Sequence, residues 1–331
     1  QRGIWSSPRS SMRSYYMAEA GTLKGLSGLK QGLGIELNPY ILGKNSENRE
    51  TGESDFNFEW GGDFRYRLSP KLSATVSYNT DFAAAETDAR QINLTRFSAF
   101  FPEKRRFFLE EAGVFTFGGL EGRVRRGARN SPVFLPYFSR RIGLNSSGQV
   151  APLVGAAKLT GRIGDFDVGI INALLESGGE LGSQNTFVGR VSKPVLDQST
   201  VGAIVTHGDP NSDYDNLVVG SDFRYLSNNF LDKYRLEANS FIIASQSDDP
   251  NFDDGLAPSF GGNFVLPADE FELEGSFLQI DEDFNPAMGF APRRGIRRLG
   301  TTLTYQPRPE DIAWLRQYYL IYEGEYLTNL S

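Results

Sequence analysis

The sequence predicts an all-β chain built as an antiparallel transmembrane β-barrel of the outer-membrane type, and three observations predict it. Apolar and polar residues alternate with period two over stretches such as Phe56 to Leu68, about ten residues or more, where an ordinary globular strand has about five or six. Turn-rich clusters separate these stretches. Some are very short and others long and polar, as in a barrel with tight turns at one rim and loops at the other. Aromatics make up 13% of a chain that is only 39% apolar, and Tyr and Phe fall near strand ends as an interfacial girdle requires. About 12–16 strands are expected in this portion.

Composition narrows the chemistry before any motif does. Of 331 residues, 41 are acidic and 34 basic, a formal net charge of −7. Nucleic acid needs a basic surface and is not an expected partner. With no Cys and a single His, His207, there is no material for disulfides, thiolate metal sites, cysteine nucleophiles, His-based triads or multi-His zinc sites. The chain is expected not to be an enzyme. No apolar run reaches the roughly 18 residues of a transmembrane helix. The opening QRGIWSSPRSSMRSYY lacks the apolar core of a signal peptide. The expectation is that export has removed that core, or that the chain begins partway through a longer protein.

The alternation is clearest in SDFNFEWGGDFRYRLS. Phe56, Phe58, Trp60, Phe64, Tyr66 and Leu68 share one parity, while Asn57, Glu59, Asp63, Arg65 and Arg67 share the other. In a barrel the second set forms a lumen-facing wall, of which Glu59, Asp63, Arg65 and Arg67 are the charged members. The pattern recurs in KLSATVSYNT, DKYRLEANSFIIA, DEFELEGSFL and RRLGTTLTYQ. Weaker versions run over 153–162, 166–175, 187–191, 201–205 and 217–226. A soluble propeller or sandwich also has one apolar face per strand, but its strands are shorter and a second sheet covers that face. No fixed repeat of about 20–50 residues is visible, which counts against a propeller.

FPEKRRFFLEE, residues 101–111, fits neither period. Glu103, Lys104, Arg105, Arg106, Glu110 and Glu111 are interleaved with Phe107 and Phe108. A charge at the lipid-facing midplane costs about 2–4 kcal/mol, so these six are excluded from lipid. An inward-folded plug or constriction element over 101–119, within an insert of 101–130, accommodates them. Pro102 at a first helical position and Glu103 in the first turn predict a helical start, with Glu103 facing Arg106 or Phe107 and Arg106 facing Glu110. Expected partners are Glu59, Asp63, Arg65 and Arg67, together with Arg140 and Arg141. An ordinary ordered loop with solvated charges is the alternative.

Other clusters carry less. GDPNSDYDN (Asp209, Asp213, Asp215) and SDDPNFDDG (Asp248, Asp249, Asp253) offer the oxygen ligands calcium prefers, without the EF-hand spacing. Calcium is the only cofactor they suggest, and solvated extracellular loops account for them better. Glu110–Glu111 and Asp281–Asp283 are the available carboxylate pairs for glycoside hydrolysis, but adjacent strand residues point to opposite faces. GLSGLKQGLG lacks the Lys-Ser/Thr ending of a phosphate loop.

The block SYNTDFAAAETDARQINLTRFSAFFPEKRRFFLEEAGVFTFG, residues 77–118, contains N-x-D-F at 79–82, E-x-D at 86–88, Q-x-N-L at 91–94 and F-P-E-K-R-x-F-F-L-E at 101–110. It resembles the signature of a family of bacterial outer-membrane barrels of unknown function. GLSGLKQGLGIELNPYILG (25–43), YFSRRIGL (137–144), GAAKLTGRIG (155–164) and IDEDFNPAMGFAPRRGIRR (280–298) are similar to its other blocks, in the same order. Arg106 stands where that family often has Pro. In the family the barrel typically follows a family-nine carbohydrate-binding module, which this chain lacks. The resemblance therefore implies that 1–24 is a linker or the end of such a module and that 25–331 is the N-terminal part of a barrel. It also implies a bacterial outer-membrane location, with membrane lipid, a saccharide ligand and other outer-membrane or surface proteins as partners. Its implied role is a channel or uptake component linked to carbohydrate or polymer binding. The alternative is a non-transporting barrel that anchors or assembles surface proteins.

Overall fold

The alternating segments pair with their sequence neighbours. The computed structural model describes residues 25, 32–47, 54–79, 100, 103–120, 134–143, 153–176, 183–309, 311–312 and 314–330. Its strands are β1 (Ile35–Glu47), β2 (Ser54–Ser69), β3 (Leu72–Tyr78), β4 (Leu153–Ile163), β5 (Phe166–Leu175), β6 (Gln184–Val195), β7 (Ser199–His207), β8 (Asn216–Phe230), β9 (Tyr234–Ser247), β10 (Ala257–Pro267), β11 (Phe271–Ile280), β12 (Ile296–Tyr305) and β13 (Leu320–Asn329). They form one antiparallel sheet of 13 strands in chain order. Among the described residues β1 and β13 do not pair with each other, so the sheet is open rather than closed. No described helix is long and apolar enough to cross a membrane.

Connections alternate in length. At one rim the chain turns within 70–71, 164–165, 196–198, 231–233 and 268–270. At the other it spends 79–152, 176–183, 208–215, 248–256 and 281–295 between strands. The exception is 306–319, a long connection at the short-turn rim. In the two-residue 164–165 turn Gly164 (φ 60°) takes positive φ, and in the three-residue 231–233 turn Leu231 and Asp232 (φ 53° and 59°) do so.

The two faces of the sheet differ in an unusual way. One register row, Ile35–Tyr66–Ala74–Leu159–Ile170–Gly189–Val205–Val219–Ala244–Pro258, crosses β1 to β10 without a polar side chain other than the Tyr66 hydroxyl. This face is bare: Phe58 is 62% exposed, Trp60 60%, Val219 52% and Ile242 62%. Among the strand residues whose side chains are described, the charged ones at bare-face positions are Lys193 and Arg297, each within two residues of a strand end. The opposite face buries polar groups, including Ser73, Thr75, Ser77, Lys158, Thr160, Arg190 and Thr206. A globular sheet puts its apolar side inward; here the polar side is covered.

Three segments cover it: residues 103–120, residues 134–143 and the 281–295 connection. Two apolar clusters lie beneath them. Phe107, Phe108 and Phe115 pack with Leu153, Ile171, Leu175 and Met288. Phe117 and Phe134 pack with Ile204, Val218, Phe241, Phe284 and Ile296.

Candidate functional site

The insert Glu103–Leu120 begins in extended backbone, makes one α-turn, α1 (Arg106–Leu109), and then a 3-10 turn over Ala112–Phe115. α1 has no side-chain cap, and four residues are far too few to hold a helix by themselves. Its anchorage is tertiary, and it differs between the two halves of the insert.

The first half is held by charge. The backbone N–H groups of Lys104 and Arg105 and the Arg105 Nε donate to Glu103 Oε1 at 2.8–2.9 Å. Arg105 Nη2 and Ser139 Oγ each donate to Oε2 at 2.6 Å. The same guanidinium donates to the carbonyls of Ile142 (2.6 Å) and Ser139 (2.7 Å) and lies 4.1 Å from the Phe108 ring centre. Burial pushes the Glu103 carboxyl up. The Arg105 charge and the Arg105 and Ser139 hydrogen bonds outweigh it, leaving the group below the usual carboxylate range. Tyr137, enclosed beside this pair, has its phenol held well above its ordinary value by burial.

Arg106 Nε donates to Glu110 at 2.7 Å and its Nη2 reaches Glu36 on β1. Arg65 on β2 joins Glu110 Oε2 at 3.1 Å and also Glu111. Glu111 sits in the left-handed region at φ 58°, which costs a non-glycine residue about 1–3 kcal/mol. Its carboxylate accepts from Ser73 Oγ (3.1 Å) and Thr160 Oγ1 (2.7 Å) in addition to Arg65, and these contacts offset the strain. Lys158, 2% exposed on β4, donates to the carbonyl oxygens of Phe107 and, at 2.8 Å, Glu110. A buried ammonium thus closes the open end of α1.

The second half is held by shape. Val114 and Phe115 press on Gly169 of β5, where a Cβ would come within 2.8 Å of the Phe115 ring. Phe117, 1% exposed, fits against Gly220 of β8 and packs 5.8 Å from Phe241 of β9. Gly118 and Gly119 are both left-handed (φ 62° and 64°), with Phe241 and Asn239 where their side chains would be. Asp222 accepts from the Gly118 N–H at 3.0 Å while both its oxygens take Arg190. In the 281–295 connection the Asn285 carbonyl accepts from Asn216 Nδ2 of β8 and the Asn285 N–H donates to Ser245 Oγ of β9, so this connection is tied to the same face.

These positions correct several expectations. The helical turn begins at Arg106, four residues later than expected, so Glu103 precedes it and pairs with Arg105 instead of Arg106. Arg106–Glu110 forms at i,i+4 as expected. Of the wall residues, Arg65 reaches the insert and Asp63 accepts from Ser77 within the wall. Glu59 and Arg67 share the covered face but are exposed and are not among the insert's described contacts. Arg141 donates to the Gly289 carbonyl, not to an insert carboxylate. Next to Arg140, Ser139 meets the insert through both its carbonyl, which accepts from Arg105, and its hydroxyl, which donates to Glu103. The expected insert residues 101, 102 and 121–130 lie outside the described residues, as does the 1–24 segment. In the acidic loops Asp209 accepts from Asn211 and Ser212, Asp213 from Gln184, and Asp249 from Asn251. The Asp248 N–H bonds the Asp215 carbonyl, and the Asp253 N–H bonds Asp283. Among the described residues no three Asp, Glu or His converge as a cation site.

Sequence reasoning did not find Lys158, Glu36 or the Arg190–Asp222 pair. Each is a charge on the polar parity of an alternating strand, and that parity was the available signal.

A family model described as a domain of unknown function, DUF5916, matches residues 33–200, which is 168 of the 331 residues and includes the whole insert. No curated protein matches the chain.

Proposed function

The chain belongs to the DUF5916 family, a domain of unknown function, and from that premise we propose that it is a bacterial outer-membrane β-barrel with a largely filled lumen, acting as a narrow channel or uptake component. The bare face carries this reading. Fully burying a large apolar side chain is worth about 1.5–3 kcal/mol. About ten half-exposed ones in water would forfeit on the order of 10 kcal/mol, comparable to a whole domain's stability of about 5–15 kcal/mol. Lipid removes that penalty, and the bare-face positions of β2 (16 residues) and β8 (15 residues) carry no charged side chain, along strands longer than the about ten residues that a tilted crossing needs. The alternation of short and long connections supports the same reading. On it, the insert and the 281–295 connection both fold in from the long-loop rim.

A link to carbohydrate or polymer binding rests on the sequence resemblance alone. The alternative, a non-transporting barrel that anchors surface proteins, is favoured by the aromatic half of the insert, which is packed as tightly as a core. Gel mobility of the full-length protein from outer membranes, before and after boiling in detergent, tests the barrel. A boiling-dependent shift with resistance to urea extraction is expected. Release by urea with no shift would mean that a protein surface, not lipid, covers the bare face.

A further inference from the structure

The insert meets β1–β3 through charged and hydroxyl groups and β4 through Lys158 and Thr160 as well as the apolar Leu153 and Ala156, whereas between the insert and β5–β9 aromatic rings dominate. Two enclosed polar atoms on the first side have no protein partner: Thr75 Oγ1, on a residue 5% exposed, and Arg65 Nε. Thr75 lies in register between Arg65 and Lys158, and Asp63 is two residues along β2 from Arg65. Thr206 on β7 has a similarly unpartnered hydroxyl, but its register neighbours are Val188 and Val218. An internal water needs two to four polar partners. The Thr75 position supplies them and the Thr206 position does not. Buried polar groups left by the protein are satisfied by solvent where solvent can fit.

We propose that this seam between the insert and β2–β4 is hydrated and conducts small inorganic ions, while the aromatic half of the insert seals the remainder against larger solutes. The inference rests on the barrel reading and narrows its solute class. Along the seam stand the carboxylates of Glu36, Asp63, Glu110 and Glu111 and the cations Arg65, Arg106 and Lys158. Mixed charge with one carboxylate in excess gives a weak preference for cations. Such a seam passes potassium and chloride but not a pyranose.

The test uses the full-length protein purified from outer membranes, its heat-dependent gel shift verified, in planar bilayers under a potassium chloride gradient. Small, steady conductance with a weakly cation-selective reversal potential is expected. The isosteric Thr75→Val lowers conductance at least twofold, and Asp63→Asn moves the reversal potential toward chloride. Ile242→Val on the bare face changes neither. A protein with the gel shift but no conductance above the protein-free bilayer overturns the seam and leaves the barrel standing. So does conductance indifferent to both seam variants. Loss of the gel shift in the wild type overturns the barrel reading and the seam with it.

Discussion

Arg190 on β6 grips both carboxylate oxygens of Asp222 on β8, at 2.6 and 2.9 Å, by passing over β7 at Gly202. A Cβ at Gly202 would stand 2.6 Å from the guanidinium, so the glycine is what lets two non-adjacent strands share an ion pair. Asp222 in turn holds the Gly118 N–H, which makes the pair the junction between sheet and insert.

Removing one partner of a buried pair strands the other charge, at a cost of about 3–5 kcal/mol. Asp222→Ala should therefore lower stability in detergent by that order, and Gly202→Ala should do nearly the same without touching either charge. The temperature of the gel-shift transition reads both. If Gly202→Ala is neutral, the path over β7 is not tightly packed.

Lys158→Met keeps the volume of the side chain but leaves the Phe107 and Glu110 carbonyls without their donor, a loss of about 1–3 kcal/mol. At about 2 kcal/mol the first half of the insert opens roughly 30-fold more often. Limited proteolysis within 103–111 should accelerate accordingly while the strands stay protected. An unchanged cleavage rate would show that the aromatic half alone holds the insert.

Phe223→Arg, at the middle of β8 and on the bare face, separates lipid from water as the surrounding medium. In liposomes an arginine near the midplane costs about 2–4 kcal/mol; on a water-facing surface the change stays within about 0.5 kcal/mol. Reversible unfolding in liposomes measures it. A near-zero effect would argue that this face does not meet hydrocarbon.

The Glu103 carboxyl lies below its ordinary value of 4.5 in the folded chain. A depressed carboxyl contributes stability that is present above the unfolded value and lost as pH falls through the folded one. The tie between the start of the insert and Ser139–Ile142 should thus be intact near neutrality and weaken only below about pH 4.5. Cleavage between 103 and 143 by an acid protease, compared at pH 5.5 and 3, should rise in the wild type. In Glu103→Gln it should already be high at pH 5.5.

Much of the sheet was legible because period two is a local property. β2, β3, β9, β11 and β12 follow the strict alternation, and β4 to β8 fall where the weaker versions run. β10 was not legible: Pro258 and the Gly261–Gly262 pair interrupt its alternation, and it is completed by hydrogen bonds to β9 and β11. The start of α1 was misplaced because Pro102 and Glu103 are local helix signals, whereas Glu103 is committed to Arg105 and to Ser139, a residue 36 positions away.

By itself the sequence determined which residues share a face, since alternation needs only the geometry of an extended chain. It also determined that 101–111 could not belong to a strand, because six charges there fit neither parity. Tertiary structure alone decided which face is covered and by what. That choice rests on Lys158, Glu111, Arg190 and Asp222 meeting groups tens of residues distant, and on glycines at 169, 202 and 220 leaving room for side chains from elsewhere. Spacing along the chain does not encode such meetings, because they depend on how the strands lie side by side.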